Sequence, residues 1–265
     1  MLRRNVLKNA SCLFVAAAVL FSTFGAYGAD DASPIKLRIL TYNIQIGRAP
    51  GGSYSDPAQA RLDKTGNVIK ASDPDVAGLQ EVDCKTERSG VSVDQLGELS
   101  QQTGLIGTFA PKTKLPGGDY GIGTLSKTPP IQSRFVHMKG SAHTRVLQIL
   151  EFERFVFFNT HLPLTQENRL AAVAVIEEEA KKYEKPIILV GDLNAEPDSQ
   201  EIQELEKNWK NLGPDDPTFP SPEPTVRIDY IFLRNAKSFN VLETEVIPDP
   251  ETSDHRPVFC VVEFE

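Results

Sequence analysis

Residues 186–194 read PIILVGDLN, an apolar run with a β-branched centre that ends on a carboxylate, Asp192, and a carboxamide, Asn194. Asp and Asn are ordinary turn residues, so this ending alone says little. The same ending recurs along the chain. Asn43 closes LRILTYN, Glu81 closes DVAGLQE, and FVFFNTH delivers Asn159 and His161. Asp229 lies inside the apolar run RIDYIFL, where a carboxylate is costly unless paired or hydrogen-bonded. Asp254 and His255 stand immediately before RPVFCVVEF. Turn chemistry explains one or two of these positions. It does not explain a set so rich in carboxylates and carboxamides that also holds two of the chain's four histidines.

Such groups suit attack on a phosphate ester. Anionic phosphoryl oxygens repel a nucleophile, so a site must neutralise charge, position water and stabilise the departing oxygen. Carboxylate and carboxamide oxygens fit a hard cation such as Mg²⁺, which takes few protein ligands and keeps several waters. A cation held there serves as Lewis acid and template. A His beside a buried Asp is held more readily in its cationic form. The sequence offers no Cys/His ligand set for structural zinc, no GxSxG elbow and no P-loop.

The elements that would carry these groups follow from the apolar patterning. Strand-like runs recur at LRILTYNI, DVAGLQEV, YGIGTLS, RVLQILEF, FVFFNTHL, PIILVGDL, RIDYIFL and RPVFCVVEF. Helical stretches alternate with some of them. Asp56 and Pro57 read as an N-cap and first helical position, followed by Ala58, Leu62, Thr65 and Ile69 at helical spacing. Gln95–Gln102 stops at Gly104, and Thr165 caps a helix carrying Leu170, Val173 and Ile176. DSQE at Asp198–Glu201 reads as a capping box, and EEEAKK at Glu177–Lys182 as a solvated helix face. Strands outnumber helices, and neighbours such as RVLQILEF and ERFVFF suggest hairpins. The expectation is a mixed sheet, or two packed sheets, with helices outside.

In that order, TYNI, QEVD, YGIGTLSK, NTHL, GDLN, RIDYIF and SDHRPV resemble the endonuclease/exonuclease/phosphatase superfamily. It includes pancreatic deoxyribonuclease, the exonuclease III-type abasic-site endonucleases, sphingomyelinases, deadenylases and inositol polyphosphate 5-phosphatases. The resemblance runs from Leu37 to Phe264 and implies an α/β fold. Its form would be a four-layer α/β/β/α sandwich, two mixed β-sheets packed face to face with helices outside. It implies that Glu81, Asn43 and Asp254 hold a metal, with Mg²⁺ expected and Mn²⁺ or Ca²⁺ as alternatives. Asp192 would activate the attacking water, Asn194 would bind the phosphoryl group, and His255, oriented by Asp229, would stabilise the transition state. His161 would contact the phosphate or leaving oxygen, and Arg145 and Asn159 would face the substrate. The implied activity is metal-dependent hydrolysis of phosphate esters, with a nuclease-like phosphodiesterase as the leading expectation. A phosphatase, or a phospholipase of sphingomyelinase or inositol-phosphate type, is the alternative. A non-catalytic binding module on the same fold is the second.

The sequence departs from the pattern at Gln45, where related abasic-site enzymes carry an acid, and at Ile122, where bacterial relatives often carry Asn. Ala195–Val226, including GPDDPTFPSPEP, shows no basic or aromatic wedge for opening a duplex. The chain's net charge is −8, which argues against extended electrostatic binding of a polyanion. Residues 1–28 read as a signal peptide, with Arg3, Arg4 and Lys8 before an apolar stretch and Ala26 and Gly28 near the cleavage point. Arg3–Arg4 also resembles a twin-arginine export signal. Removing that segment, with three basic and no acidic residues, takes the charge from −8 to −11. The expectation is then a single domain over 29–265, exported to the periplasm or outside, monomeric by default and without a further membrane span. Cys84 and Cys260 are expected to be unpaired thiols, since one follows an acidic strand end and the other lies mid-strand.

Overall fold

The apolar runs are the inner strands of two sheets in the computed structural model, which describes residues 33–52, 58–138 and 144–265. The signal-like segment and the Asp56–Pro57 helix start lie outside the described residues. The runs form β1 (Ile35–Asn43), β2 (Val76–Cys84), β4 (Gly118–Ser126) and β6 (Arg145–Glu151), then β7 (Val156–His161), β8 (Ile187–Asp192), β10 (Asp229–Arg234) and β12 (Val258–Phe264). Strands not expected from hydropathy are β3 (Ile106–Leu115), β5 (Gln132–Met138), β9 (Lys210–Asn211) and β11 (Phe239–Val246). One six-stranded sheet runs β11-β12-β1-β2-β4-β3 and the other β5-β6-β7-β8-β10-β9. All the unexpected strands are therefore sheet edges. An edge leaves one side to solvent and tolerates charge and proline, so the apolar signature is weak there. β3 carries Pro111 and two lysines, and β11 is mostly exposed.

Both sheets are mixed. β1 pairs with β2, and β7 with β8, in parallel, while the remaining ladders are antiparallel. Side chains alternate across each strand with period two. Ile188 and Val190 of β8 pack with Ile39, Phe157, Ile231 and Cys260 between the sheets. Ile187 and Leu189 turn the other way, toward Val173, Ile176, Ile202 and Trp209. The helices α3 (Gln166–Ala180) and α4 (Gln200–Glu206) cover that outer face, while α1 (Ala58–Ser72) and α2 (Gln95–Thr103) cover the other sheet. Each large apolar side chain buried in these layers contributes roughly 1.5–3 kcal/mol. The result is the four-layer α/β/β/α sandwich.

Helix ends follow the sequence in part. The Asp94 side chain accepts from Gly97 N–H at the start of α2, and Gly104 ends it in the left-handed conformation. Thr165 is the N-cap of α3 but makes no capping bond; its hydroxyl accepts from Asn168 instead. The DSQE capping box does not form. Ser199, not Asp198, is the N-cap of α4, and Glu201 is buried in an ion pair with Arg169 at 2.6 Å. EEEAKK is not wholly solvated either. Glu177 accepts from Trp209 and Arg234, and Glu179 pairs with Arg134, so this face ties α3 to its own sheet. Cys84 and Cys260 are both free thiols. Among the described residues, no helix is long and apolar enough to cross a membrane.

Between the sheets, beneath the strand ends, runs a buried polar layer. Gln80 donates to Asn159 Oδ1 at 2.8 Å, and Asn159 Nδ2 donates to Gly123 O at 2.9 Å. Thr124 donates to Gln148 at 2.7 Å, and Gln148 reaches Thr108 O. Such a layer fixes the relation of one sheet to the other because each group has its partner.

Candidate active site

β8 and β10 bring two carboxylates opposite one another, since Asp192 and Asp229 are register partners on these antiparallel strands. The strand before Asp192 needs glycine. Gly191 has φ +151°, and a Cβ there would lie 2.0 Å from the Thr160 carbonyl of β7. This close approach seats Asp192 beside its parallel partner His161. Asp192 is buried and well supplied with donors. Its Oδ1 accepts from Asn194 N–H at 2.9 Å, and its Oδ2 from Asn43 Nδ2 at 3.0 Å, with His161 Nε2 at 3.3 Å.

His255 sits between the two acids. Its Nδ1 lies 2.9 Å from Asp229 Oδ2 and its Nε2 3.7 Å from Asp192 Oδ2. Thr218 donates to the same Asp229 oxygen at 2.6 Å, and the Phe219 ring packs on the imidazole at 4.8 Å between centroids. Burial alone would lower the His255 pKa, but Asp229 and then Asp192 outweigh it and raise it to about 10. His161 goes the other way. Burial, with Arg145, Lys112 and His255 nearby, pushes it well below the ordinary histidine value. The two histidines thus differ in charge at neutral pH, His255 cationic and His161 neutral. Burial raises Asp192 above the usual carboxylate range and Asp229 adds to this, while His255 and the bonds from Asn43 and Asn194 oppose it.

Two β-bulges aim further side chains at the same place. The β2–β4 ladder slips between Leu79 and Val82, where Glu81 takes φ +56°. The β3–β4 ladder slips between Pro111 and Thr113, leaving Lys112 as the extra residue. Bulges re-aim side chains in this way beside functional sites. Glu81, Lys112, Tyr120, Arg145, His161, Asp192, Asn194, Asp254 and His255 line one cleft of about 400 Å³, together with Arg88, Leu115, Leu164 and Phe219. Glu81 has no hydrogen bond among the described residues; the His161 ring nitrogen Nδ1 stands 4.0 Å from it. Among the described residues, the Asp254 carboxylate takes a long bond from Ser253, 3.4 Å, besides one from its own backbone N–H. Burial, and the charge of Glu81, raise the Asp254 pKa, while His255 opposes them.

The structure thus brings Glu81, Asp254, Asp192, Asn194, His161, His255 and Arg145 to one cleft, with Asp229 directly behind. Two expected residues stand elsewhere. Asn159 is fully buried in the inter-sheet layer with both amide atoms bonded, so it joins the sheets and does not line the cleft. Asn43, expected as a metal ligand, gives its nitrogen to Asp192 and accepts from Gln45 N–H through its oxygen, which makes it a positioning residue for Asp192. Ile122 is buried with Ala110 and Val146, away from the lining. Sequence reasoning missed Lys112, Arg88, Tyr120, Thr218 and Phe219. The last two come from GPDDPTFPSPEP, a stretch whose composition had signalled only what it lacked.

The candidate ligand atoms of Asp192, Asp229 and His255 all lie within 4.8 Å of one another, a set able to hold a divalent ion. Residues 40–255, which include every residue of this cleft, match the Endonuclease/Exonuclease/phosphatase family. The chain belongs to that family. Recombination repair protein 1 of Drosophila melanogaster is 27% identical over 165 residues, covering 58% of this chain and 23% of that protein. The chain spans about a quarter of the length of that curated relative. Among solved structures, an endonuclease/exonuclease/phosphatase from Bacteroides vulgatus superposes with a TM-score of 0.72 at 21% identity, covering 87% of this chain and 100% of that one. A mannosyl-6-phosphatase from Bacteroides thetaiotaomicron superposes at 0.69 with 20% identity, covering 85% and 99%. The human Nocturnin catalytic domain gives 0.67 at 22% identity, covering 88% and 94%. These likenesses show the shared fold.

Proposed function

We propose that this family member hydrolyses phosphate esters with the help of a divalent cation. The observation that carries the reading is the Asp192 carboxylate, held by Asn43, Asn194 and His161, beside a His255 kept cationic by Asp229. Asp192 takes a proton from water as the water oxygen forms the new bond to phosphorus. The ester P–O bond breaks, the departing oxygen takes up a proton from solvent, and Asp192 returns its proton to solvent. His255 stands as a fixed positive charge beside the reacting phosphate, worth most where burial lowers the local dielectric. The Asp192/Asp229/His255 cluster works here as a unit that holds and places protons. Glu81 and Asp254 are hard oxygen donors almost free of other bonds, so they would hold the cation, Mg²⁺ by preference. When bound, it would supply Lewis-acid polarisation of a phosphoryl oxygen.

The N-terminal sequence supports an exported enzyme acting in the periplasm or outside the cell. The family supports both nuclease-like and phosphatase-like substrates, and a phosphatase is named among the structural neighbours.

Asp192→Asn and His255→Ala are expected to reduce Mg²⁺-stimulated hydrolysis of p-nitrophenyl phosphate and its bis ester by about a thousandfold or more, with melting curves retained. EDTA should abolish the wild-type activity, and Glu81→Gln should raise the Mg²⁺ concentration needed for half-maximal rate by about tenfold. Full activity in both Asp192→Asn and His255→Ala would overturn the assignment.

A further inference from the structure

Two basic side chains are buried in the cleft without a bonded carboxylate; Glu81 and Asp192 act on both only through space. Lys112 and Arg145 are 7% and 8% exposed, and both line the cleft. Among the described residues, neither side chain makes a hydrogen bond or ion pair; Lys112 only meets the Tyr120 ring, 4.5 Å from its centroid. A charge taken out of water without a partner costs several kcal/mol, so buried cations are normally paired. The bulge at Lys112 shows that the backbone is bent to put this side chain in the cleft. The wall that carries them is thus built for an anion supplied from outside.

We propose that Lys112 and Arg145 form an anion seat that commits the site to phosphomonoesters, whose terminal phosphate is a dianion. This rests on the phosphoesterase reading and narrows it. A diester phosphate has one negative charge and two free oxygens, which His255 and a divalent cation can meet without the seat. A terminal phosphate has a second charge and a third free oxygen, which the seat can hold while His255 and Asp192 face the ester bond. Arg88 supports the arrangement from the side. It pairs with buried Asp83 at 2.8 Å and stacks on Tyr120 at 4.7 Å, which keeps the ring against Lys112. The cleft of about 400 Å³ is of small-molecule size. The chain's net negative charge disfavours a long polyanion.

The test compares kcat/KM for p-nitrophenyl phosphate and bis(p-nitrophenyl) phosphate in wild type, Lys112→Gln and Arg145→Gln, with Mg²⁺ present. The wild type should prefer the monoester, and each variant should lower the monoester-to-diester ratio by about tenfold or more, mainly through KM. A wild-type preference for the diester, or an equal loss on both substrates, overturns the seat. A 5′-phosphorylated thymidine dinucleotide separates a terminal scissile phosphate from a second phosphate bound nearby. Release of inorganic phosphate supports the proposal, and cleavage of the internal ester alone overturns it.

Binding of inorganic phosphate, followed by calorimetry in EDTA, is a readout independent of turnover. Saturable binding that is lost in both variants supports the seat, and no binding by the wild type overturns it. If no ester is hydrolysed but phosphate binds as expected, the phosphoesterase reading has failed and the anion seat stands. Melting curves of both variants confirm that they are folded.

Discussion

Asp192 and Asp229 face one another across the β8–β10 ladder, and the single imidazole of His255 reaches toward both, 3.7 Å from one and 2.9 Å from the other. The two acids nevertheless have different surroundings. Asp192 lines the cleft and collects donors on both oxygens, while Asp229 gives one oxygen to Thr218 and His255 and leaves the other, Oδ1, buried with no partner among the described residues. One acid thus borders the cleft and the other serves the histidine. Substitutions beside the two acids should therefore move a pH–rate profile in different ways.

Asn43→Ala removes a bond that lowers the Asp192 pKa. Asp192 must be ionised to accept a proton, so activity is present above its pKa and lost below it. The acid limb of kcat/KM should therefore move to higher pH, with a loss of about tenfold at neutral pH from the missing orientation. A pH–rate profile checks this, and an unmoved limb would show that Asn43 acts only on stability.

Asp229→Asn removes the charge that does most to raise His255. Burial then prevails, so His255 loses its proton at a lower pH and the alkaline limb moves down. Asp229 also raises Asp192, so the acid limb moves the same way. The whole profile should shift toward acid, the reverse of the Asn43→Ala effect on the acid limb. The maximal rate should fall about 10–100-fold as the histidine loses its orientation.

What the sequence displayed depends on where each residue sits. Inner strands are buried on both faces, so PIILVGD and FVFFNTH stood out from hydropathy. The edges β3, β5, β9 and β11 did not, because solvent on one side permits Lys, Glu and Pro. The ends of inner strands delivered Glu81, His161, Asp192 and Asp229 in readable positions. Lys112 was hidden twice, since it lies on an edge and is aimed by a bulge that no local spacing encodes. Asn159 misled for the opposite reason. It shares a strand with His161, two residues apart and on the same face, but sits deep enough to meet the other sheet instead of the cleft.

Gly191→Ala tests whether the seat of Asp192 depends on backbone approach. The added Cβ would meet the Thr160 carbonyl at 2.0 Å, at a φ of +151° that side chains rarely adopt. β8 must then move from β7, which separates Asp192 from His161. Stability should fall by about 3 kcal/mol, read as a lower urea midpoint, and activity should fall further than stability alone explains.

Lys112→Met should stabilise the protein while weakening its monoesterase activity. Burial first, and then Arg145, lower the Lys112 pKa to about 7, while Glu81 opposes them. An unfolded lysine titrates near 10.4. Between these values the unfolded chain binds more protons, so this group's contribution to stability rises with pH across that window. Below it, the full cost of a buried charged lysine without a bonded anion is present. Methionine has a similar unbranched length and removes the charge that meets the Tyr120 ring. At pH 7 and below, the variant should be more stable by about 1–3 kcal/mol, a melting temperature higher by about 2–8 °C for a domain of this size. The gain should shrink as the pH approaches 10, because the wild-type lysine is by then mostly neutral. Added inorganic phosphate should raise the melting temperature of the wild type and leave that of the variant nearly unchanged, since an anion in the seat relieves the same cost. A variant less stable than wild type at pH 6, with no such convergence at high pH, would show that Lys112 already has its charge compensated within the fold.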